Sequence, residues 1–202
     1  MTLNNNNGFT LVEVVISIFI VGILSTVTVI GFQSARQDDN LRLATLRLAD
    51  TLRSAQNYAQ SGILTLYDEK DKTYKTFGSA SGYGVYLEKG TSPKVFLFVD
   101  NRNEAAIPPE DNTWSPSSDA ITTSLSLDID GHGSIEISSI SLAGTEVQDA
   151  DIVFKRPIAA VFIDGSQEAV KKSATITLRN TINNHTKTIF VDRITGRIDA
   201  EY

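Results

Sequence analysis

The feature that most constrains this chain is an apolar run from Phe9 to Phe32, which reads FTLVEVVISIFIVGILSTVTVIGF and has Glu13 as its only charged side chain. As a helix with a rise of 1.5 Å per residue, the run is about 36 Å long, enough to span the hydrocarbon core of a bilayer. A cleaved secretory signal would have a shorter apolar region followed by a small-x-small site, and no such site stands out after Phe32. The run therefore predicts a membrane anchor that stays attached.

Two details distinguish this run from a plain anchor. The polar leader MTLNNNNG precedes it, so a cleavage site there would lie on the wrong side of the run for ordinary signal peptidase. Glu13 stands near the start of the run, and an acidic side chain near the end of a spanning helix costs roughly 1–3 kcal/mol, depending on its depth. Such a residue usually marks a functional pairing, which a plain anchor does not need.

The segment from Gly8 to Glu13, GFTLVE, resembles the prepilin signature shared by type IV pilins and type II secretion pseudopilins. It has glycine before the cut, phenylalanine after it, glutamate at the fifth mature position and an immediate apolar helix. The resemblance implies cleavage between Gly8 and Phe9 by prepilin peptidase and N-methylation of Phe9 by the same enzyme. It also implies that Glu13 pairs with the N-terminal amine of a neighbouring subunit in a filament, where a buried ammonium makes a buried carboxylate tolerable.

The sequence departs from this family in two places. Prepilin leaders usually carry lysine or arginine, whereas the first cations here, Arg36 and Arg42, follow the apolar run. The expected orientation, with the C-terminal domain outside the cytoplasm, therefore comes from the resemblance and not from the positive-inside rule. Many members also have a proline about two thirds along the helix, where this chain has Gly31, so any kink there would depend on that glycine.

The same helix is predicted to continue beyond the anchor, with an amphipathic second half. Residues 33–61 contain neither proline nor glycine, and Gly62 provides a natural helix end. Apolar side chains recur at steps of three and four and form one stripe: Leu41, Ala44, Leu48, Leu52, Ala55 and Ala59. This pattern predicts a helix that packs on a sheet.

Beyond Gly62 the pattern changes to short strands and turns, rich in aromatic and branched residues. The predicted strands are Tyr83–Glu88, Lys94–Asp100, Ile121–Ile129, Ser134–Leu142, Asp151–Lys155, Ala159–Ile163, Ala174–Asn180, Thr186–Asp192 and Gly196–Asp199. A long helix followed by many strands predicts an α+β class, here a pilin-like fold with the helix packed on an antiparallel β-sheet domain. The expected divisions are a leader at 1–8, a membrane or filament-core helix at 9–32, an amphipathic helix at 33–62 and a β-rich domain at 63–202.

Two connections carry further expectations. The alternating segments around DGHG, residues 130–133, predict a hairpin between the strands at 121–129 and 134–142. Residues 103–119 hold three of the five prolines and the only tryptophan, and they predict a long loop. Trp114 is expected either to pin that loop to the body of the domain or to anchor an interface.

Most of the chain resembles a narrower group, the minor pseudopilins typified by type II secretion protein H and the related pilin-like FimT proteins. The matching segments are LRLADTLRSAQNYAQ in the helix, GYGVYL and FLFVDNRNE in the first strands, and VDRITGRID at the C-terminus. The C-terminal motifs are less specific than the prepilin signature.

Composition excludes several kinds of chemistry. The net charge of −6 argues against a surface that binds nucleic acid, and the absence of cysteine excludes disulfides, thiolate nucleophiles and cysteine-ligated zinc. No catalytic constellation is present, so no enzyme, cofactor or metal site is predicted. Asp128 opens a stretch similar to a calcium loop, but His132 and Ser139 occupy positions where acidic ligands belong, which favours a β-turn. Asp100, Asn101, Asn103 and Glu104 form a second oxygen-rich stretch that fits a solvated turn equally well.

These observations predict a minor pseudopilin-like structural subunit that works by assembly. The resemblance implies prepilin peptidase and other pilin or pseudopilin subunits as partners, and an assembly ATPase and a platform membrane protein indirectly. The expected location is the inner membrane, as a single-pass protein that enters a periplasmic or extracellular filament. Two alternatives remain open: a minor type IV pilin for adhesion, motility or DNA uptake, and a signal-anchored binding module that never polymerises.

Overall fold

The computed structural model describes residues 9–63, 65–76, 80–101, 113–114, 119–129, 131, 133–156, 159–164 and 173–201. The leader at 1–8, nearly all of the predicted loop at 103–119, and Asp130 and His132 of the DGHG segment lie outside these residues. The chain divides into two compact units, which meet in the sequence between Gln37 and Asp38.

The described residues form one long helix and twelve strands. Helix α1 comprises Leu11–Ser61. The strands are β1 (Thr65–Asp68), β2 (Thr73–Thr76), β3 (Ala80–Glu88), β4 (Val95–Asn101), β5 (Ala120–Ser124), β6 (Ile135–Leu142), β7 (Thr145–Val147), β8 (Asp149–Lys155), β9 (Ala160–Ile163), β10 (Ser173–Asn180), β11 (Thr186–Asp192) and β12 (Ile198–Ala200). The α+β class predicted from the sequence is confirmed.

The C-terminal half of α1 buries the apolar stripe that the sequence predicts. All six stripe residues, from Leu41 to Ala59, are at most 1% exposed. The helix ends where expected, because Gly62 adopts a φ of 67° and its N–H donates to the Tyr58 carbonyl at 3.1 Å. A residue with a side chain is strained in that left-handed conformation, whereas glycine adopts it freely.

The strands pair only in antiparallel fashion within the described residues and form two five-stranded sheets and a small hairpin. Sheet I has the order β5-β4-β3-β8-β9, and sheet II has the order β12-β11-β10-β6-β7. The hairpin is β1-β2. The last three strands are sequential neighbours in sheet II.

One hydrophobic core joins the helix to both sheets. Its helical members include Leu48 and Leu52, sheet I contributes Tyr83 and Phe154, and sheet II contributes Ile176, among others. Each large apolar side chain that is fully buried stabilises the fold by about 1.5–3 kcal/mol. Because the helical stripe and the two sheets share one cluster, the residues after Gln37 form a single folded unit.

A second, aromatic cluster covers the outer face of sheet I. Trp114 packs edge-on against Phe96 and Phe98, with ring centroids 4.8 and 5.2 Å away, and its backbone N–H donates to the Asp151 carboxylate at 3.0 Å. Trp114 therefore attaches its segment to the sheet, the first of the two roles predicted for it.

The predicted hairpin around DGHG is wrong. Strand β5 ends at Ser124 and pairs with β4 in sheet I, whereas β6 pairs with β10 and β7 in sheet II. The connection between them crosses from one sheet to the other, and the Asp128 carboxylate accepts the Gly133 N–H at 2.9 Å within it. Alternation in a sequence reveals which face of a strand is buried but not which strand lies beside it, so two alternating neighbours looked like partners.

Candidate assembly site

The first turn of α1 is closed by a reciprocal pair of side chains, Thr10 and Glu13. The Glu13 Oε2 atom accepts both the Thr10 backbone N–H and the Thr10 hydroxyl at 2.8 Å, while Thr10 Oγ1 accepts the Glu13 N–H at 3.3 Å. This is a capping box, in which two otherwise unpaired backbone donors of the helix start are satisfied by side chains. The acid also lies at the positive end of the helix dipole, where a carboxylate is favoured.

The capping box uses only half of the Glu13 carboxylate. Both hydrogen bonds end at Oε2, and Oε1 accepts none from the described residues. Phe9, next to this turn, is 85% exposed. The start of the helix thus presents an acceptor oxygen beside an exposed aromatic residue, while Gly8 lies outside the described residues.

The rest of this unit presents apolar side chains outward. Every large apolar side chain that the structure describes between Phe9 and Phe32 is exposed, with Phe19 and Phe32 among the most exposed. The most apolar 18-residue stretch of α1 has a mean hydropathy of 2.6 and is long enough to cross a membrane. A surface of this kind is unstable in water, so it requires lipid or other apolar helices around it.

Hydroxyl groups in this part of the helix are satisfied within the helix itself. Ser17, Ser25, Thr26 and Thr28 each donate to the backbone carbonyl four residues earlier, at distances of 2.7–3.0 Å. Each hydroxyl therefore has a hydrogen-bond partner without water. The helix also continues through Gly31 without a break.

Glu13 stands out in the sequence as a lone charge, whereas the role of its local partner Thr10 was not predicted. The spacing T-x-x-E at residues 10–13 is the sequence signature of a capping box and could have predicted this pair. A helix beginning at Leu11 follows directly from that signature. Glu13 therefore has a structural role in its own chain in addition to any role between subunits.

Metal-binding candidates do not come together in the part of the chain that is described. No group of three or more histidine, aspartate or glutamate side chains there could hold an ion. Asp128 accepts a backbone N–H, as in an ordinary turn. Asn103 and Glu104 of the second oxygen-rich stretch lie outside the described residues, whereas Asp100 is buried at the end of β4.

Comparison with known proteins bears on this same N-terminal segment. The family model described as the prokaryotic N-terminal methylation motif matches residues 3–29. Neither a curated protein nor a solved structure matches the chain. The match covers most of the leader and most of the apolar run, and it indicates a prepilin of the type IV pilin-like or pseudopilin-like kind, anchored in a membrane near its N-terminus. The chain therefore carries a prepilin-type N-terminal motif.

Proposed function

We propose that this protein is a minor pseudopilin-like structural subunit of a type II secretion pseudopilus or a related filament for protein export. The N-terminal methylation motif over residues 3–29 carries the proposal. Prepilin peptidase cleaves between Gly8 and Phe9 and methylates the new N-terminus. The segments that resemble the type II secretion protein H and FimT group support the minor-subunit role.

Glu13 takes part in subunit registration in this proposal. Its Oε1 atom, which accepts nothing from the described residues, binds the N-terminal ammonium of a neighbouring Phe9, while Oε2 remains bound to Thr10. In an apolar surrounding, a carboxylate and an ammonium are each strongly destabilised unless they pair. The pair therefore favours one register between neighbouring helices over others.

The exposed apolar helix supplies the remaining driving force. In the membrane its side chains contact lipid, and in a filament they contact the same helices of neighbouring subunits. Because lipid is as apolar as leucine, packing and paired polar groups decide this exchange more than the hydrophobic effect does. An assembly ATPase and a platform membrane protein supply the work of extraction in this scheme.

The test separates the two contacts of the Glu13 carboxylate. Tagged full-length variants are expressed in the native host, and the tag is measured in membrane and filament fractions. Glu13→Gln is expected to insert in the membrane normally but to reduce filament incorporation at least about tenfold. Thr10→Val removes the capping hydroxyl and keeps the carboxylate, and it is expected to incorporate within about twofold of wild type.

Two outcomes contradict the registration role. Equal incorporation of Glu13→Gln and wild type would show that no ammonium depends on this carboxylate. Equal loss with Thr10→Val and Glu13→Gln would assign the effect to the helix cap alone. The alternative function, a minor type IV pilin, predicts that deletion of the gene leaves protein export intact and impairs adhesion, motility or DNA uptake.

A further inference from the structure

An open groove of about 410 Å³ lies at the C-terminal end of α1, remote in sequence from the assembly site. Its walls are the helix at Gln56 and Gln60, the start of β9, and the turn between β11 and β12 at residues 193–196. All of these residues belong to the unit after Gln37. The groove is therefore a feature of the globular part alone.

Arg193 is the charged residue of this groove, and its guanidinium is unpaired within the described residues. It takes part in none of the ion pairs or hydrogen bonds recorded there, and its Nε atom is buried without a partner. A buried donor with no acceptor destabilises a protein, because the hydrogen bonds that it made to water are not replaced. Other charged side chains described nearby, Arg53 and Arg197, pair with Asp50 and Asp199.

The turn that carries Arg193 is fixed in shape. The Asp192 carboxylate accepts the N–H groups of Ile194 and Thr195 at 2.9 and 2.7 Å, and hydrogen bonding to Thr195 lowers the pKa of Asp192. Gly196 has a φ of 68°, and its carbonyl accepts the Gln56 side-chain amide at 3.0 Å. The acid nearest in sequence is thus committed to the turn, and Arg193 is presented by a rigid loop.

The groove combines this cation with amide donors and an apolar residue. Gln56 and Gln60 line the helical side, and Ile194, beside Arg193, is 69% exposed. Because Nε is the buried part of the guanidinium, a ligand would meet the terminal Nη groups, whose fork matches the two oxygens of a carboxylate. Ile194 would cover an apolar neighbour of that carboxylate.

We propose that this groove binds an acidic side chain of a partner protein, with the carboxylate on Arg193 and an adjacent apolar side chain on Ile194. A partner segment fits better than a small free acid, because the exposed isoleucine gains nothing from a bare carboxylate. Charge also favours the site: the chain has a net charge of −6, whereas Arg193 is a cation without an acidic partner among the described residues.

The probe is the peptide acetyl-Leu-Glu-Leu-amide, added to the full-length chain in detergent micelles. Binding is followed by the Arg193 Nε–H resonance in NMR spectra, assigned by its disappearance in Arg193→Lys. We expect this resonance to shift saturably, and the matched peptide with glutamine in place of glutamate to bind about tenfold more weakly. Added salt is expected to lower the affinity for the glutamate peptide and to leave the affinity for the glutamine peptide unchanged.

A conservative variant and a neighbouring control complete the test. Arg193→Lys keeps the charge and loses the fork, so we expect affinity for the glutamate peptide to fall at least about fivefold. Arg197→Lys alters an exposed arginine in the same turn region that is already paired with Asp199, and we expect it to leave affinity unchanged. Equal binding of the two peptides, or no shift of the Arg193 resonance, would overturn the proposal. Acetate that binds as tightly as the glutamate peptide would overturn the partner segment as the ligand.

Discussion

The ring of Phe98 lies directly over Gly84 on the neighbouring strand of sheet I. A Cβ atom built on Gly84 would stand 2.4 Å from the Phe98 Cζ atom, far inside van der Waals contact. The two residues are register partners between β3 and β4, so the aromatic ring occupies the space that the glycine leaves open. Phe98 in turn packs against Trp114, and the glycine thus permits the aromatic cluster on the outer face of the sheet.

Substitution of Gly84 therefore tests that packing. Gly84→Ala is expected to reduce the free energy of unfolding by about 1–3 kcal/mol, because the buried ring must move. Phe98→Leu, with a smaller side chain, is expected to relieve the clash in the double variant. Chemical unfolding of the full-length chain in micelles would measure the free energy of unfolding of the two single variants and of the double variant. Strict additivity of the two single changes would contradict the contact, because residues that touch show coupling of 0.5 kcal/mol or more, to order of magnitude.

The Asp68–Lys75 pair in the β1-β2 hairpin predicts a dependence of stability on pH. Burial would raise the pKa of Asp68, but the hydrogen bond from Lys75 at 2.7 Å and the one from the Lys70 N–H outweigh it and lower that pKa. Because the pKa of Asp68 is lower in the folded state, its carboxylate stabilises the fold at any pH above the ordinary pKa of an aspartate in the unfolded chain. That stability is lost as the pH falls through the lower folded value.

Asp68→Asn is the variant that reveals this contribution. At neutral pH it is expected to lower the free energy of unfolding by about 1.5–3 kcal/mol, the range for hydrogen bonds to charged groups. The difference between wild type and variant should stay constant from about pH 5 to 8 and shrink below about pH 4. Unfolding curves across this range provide the measurement. A difference that grows as the pH falls would have the wrong sign for this account.

A second ion pair, Glu136–Arg179, predicts an asymmetry between its two partners. Both the Nε and Nη2 atoms of Arg179 contact Glu136 Oε1, at 2.6 and 2.5 Å, across β6 and β10. The glutamate side chain is 8% exposed and the arginine 45%. Arg179→Ala leaves a buried carboxylate unpaired and is expected to destabilise the fold by about 1–3 kcal/mol.

Neutralising the buried partner should be less harmful. Glu136→Gln keeps an acceptor in place, and the exposed arginine is hydrated by water, so we expect less than half of the loss seen with Arg179→Ala. Thermal unfolding of the two single variants side by side decides the order. A larger loss with Glu136→Gln would mean that the arginine, not the glutamate, depends on the pair.

The helix and its buried stripe could be predicted from the sequence, because a period of three and four residues specifies one face regardless of what covers it. The division of the strands between two sheets could not, as the separation of β5 from β6 illustrates. Alternation is also a poor guide to burial at Glu136, because this residue and its neighbours Ile135 and Ile137 are all buried. Its partner Arg179 lies on β10, and only the register of sheet II brings them together.

The candidate assembly site was more accessible to sequence reasoning than the groove at Arg193. Glu13 stands out as the single charge in an apolar run, and its capping partner follows from local spacing. Arg193 is one of several charged residues in a C-terminal turn, and nothing in the sequence marks it. Arg193 is distinguished by having no hydrogen-bond or ion-pair partner among the described residues, and only a structure can reveal this.

The most direct test of the central claim is the mass of the mature N-terminus. The full-length chain is coexpressed with an active prepilin peptidase, and the masses of the intact protein and of its N-terminal peptide are measured by mass spectrometry. A prepilin-like subunit predicts a chain that begins at N-methylated Phe9 and lacks the eight residues of the leader, Met1 to Gly8. A chain that keeps the leader, while the same peptidase processes a control prepilin, would contradict the account and favour a simple anchored module.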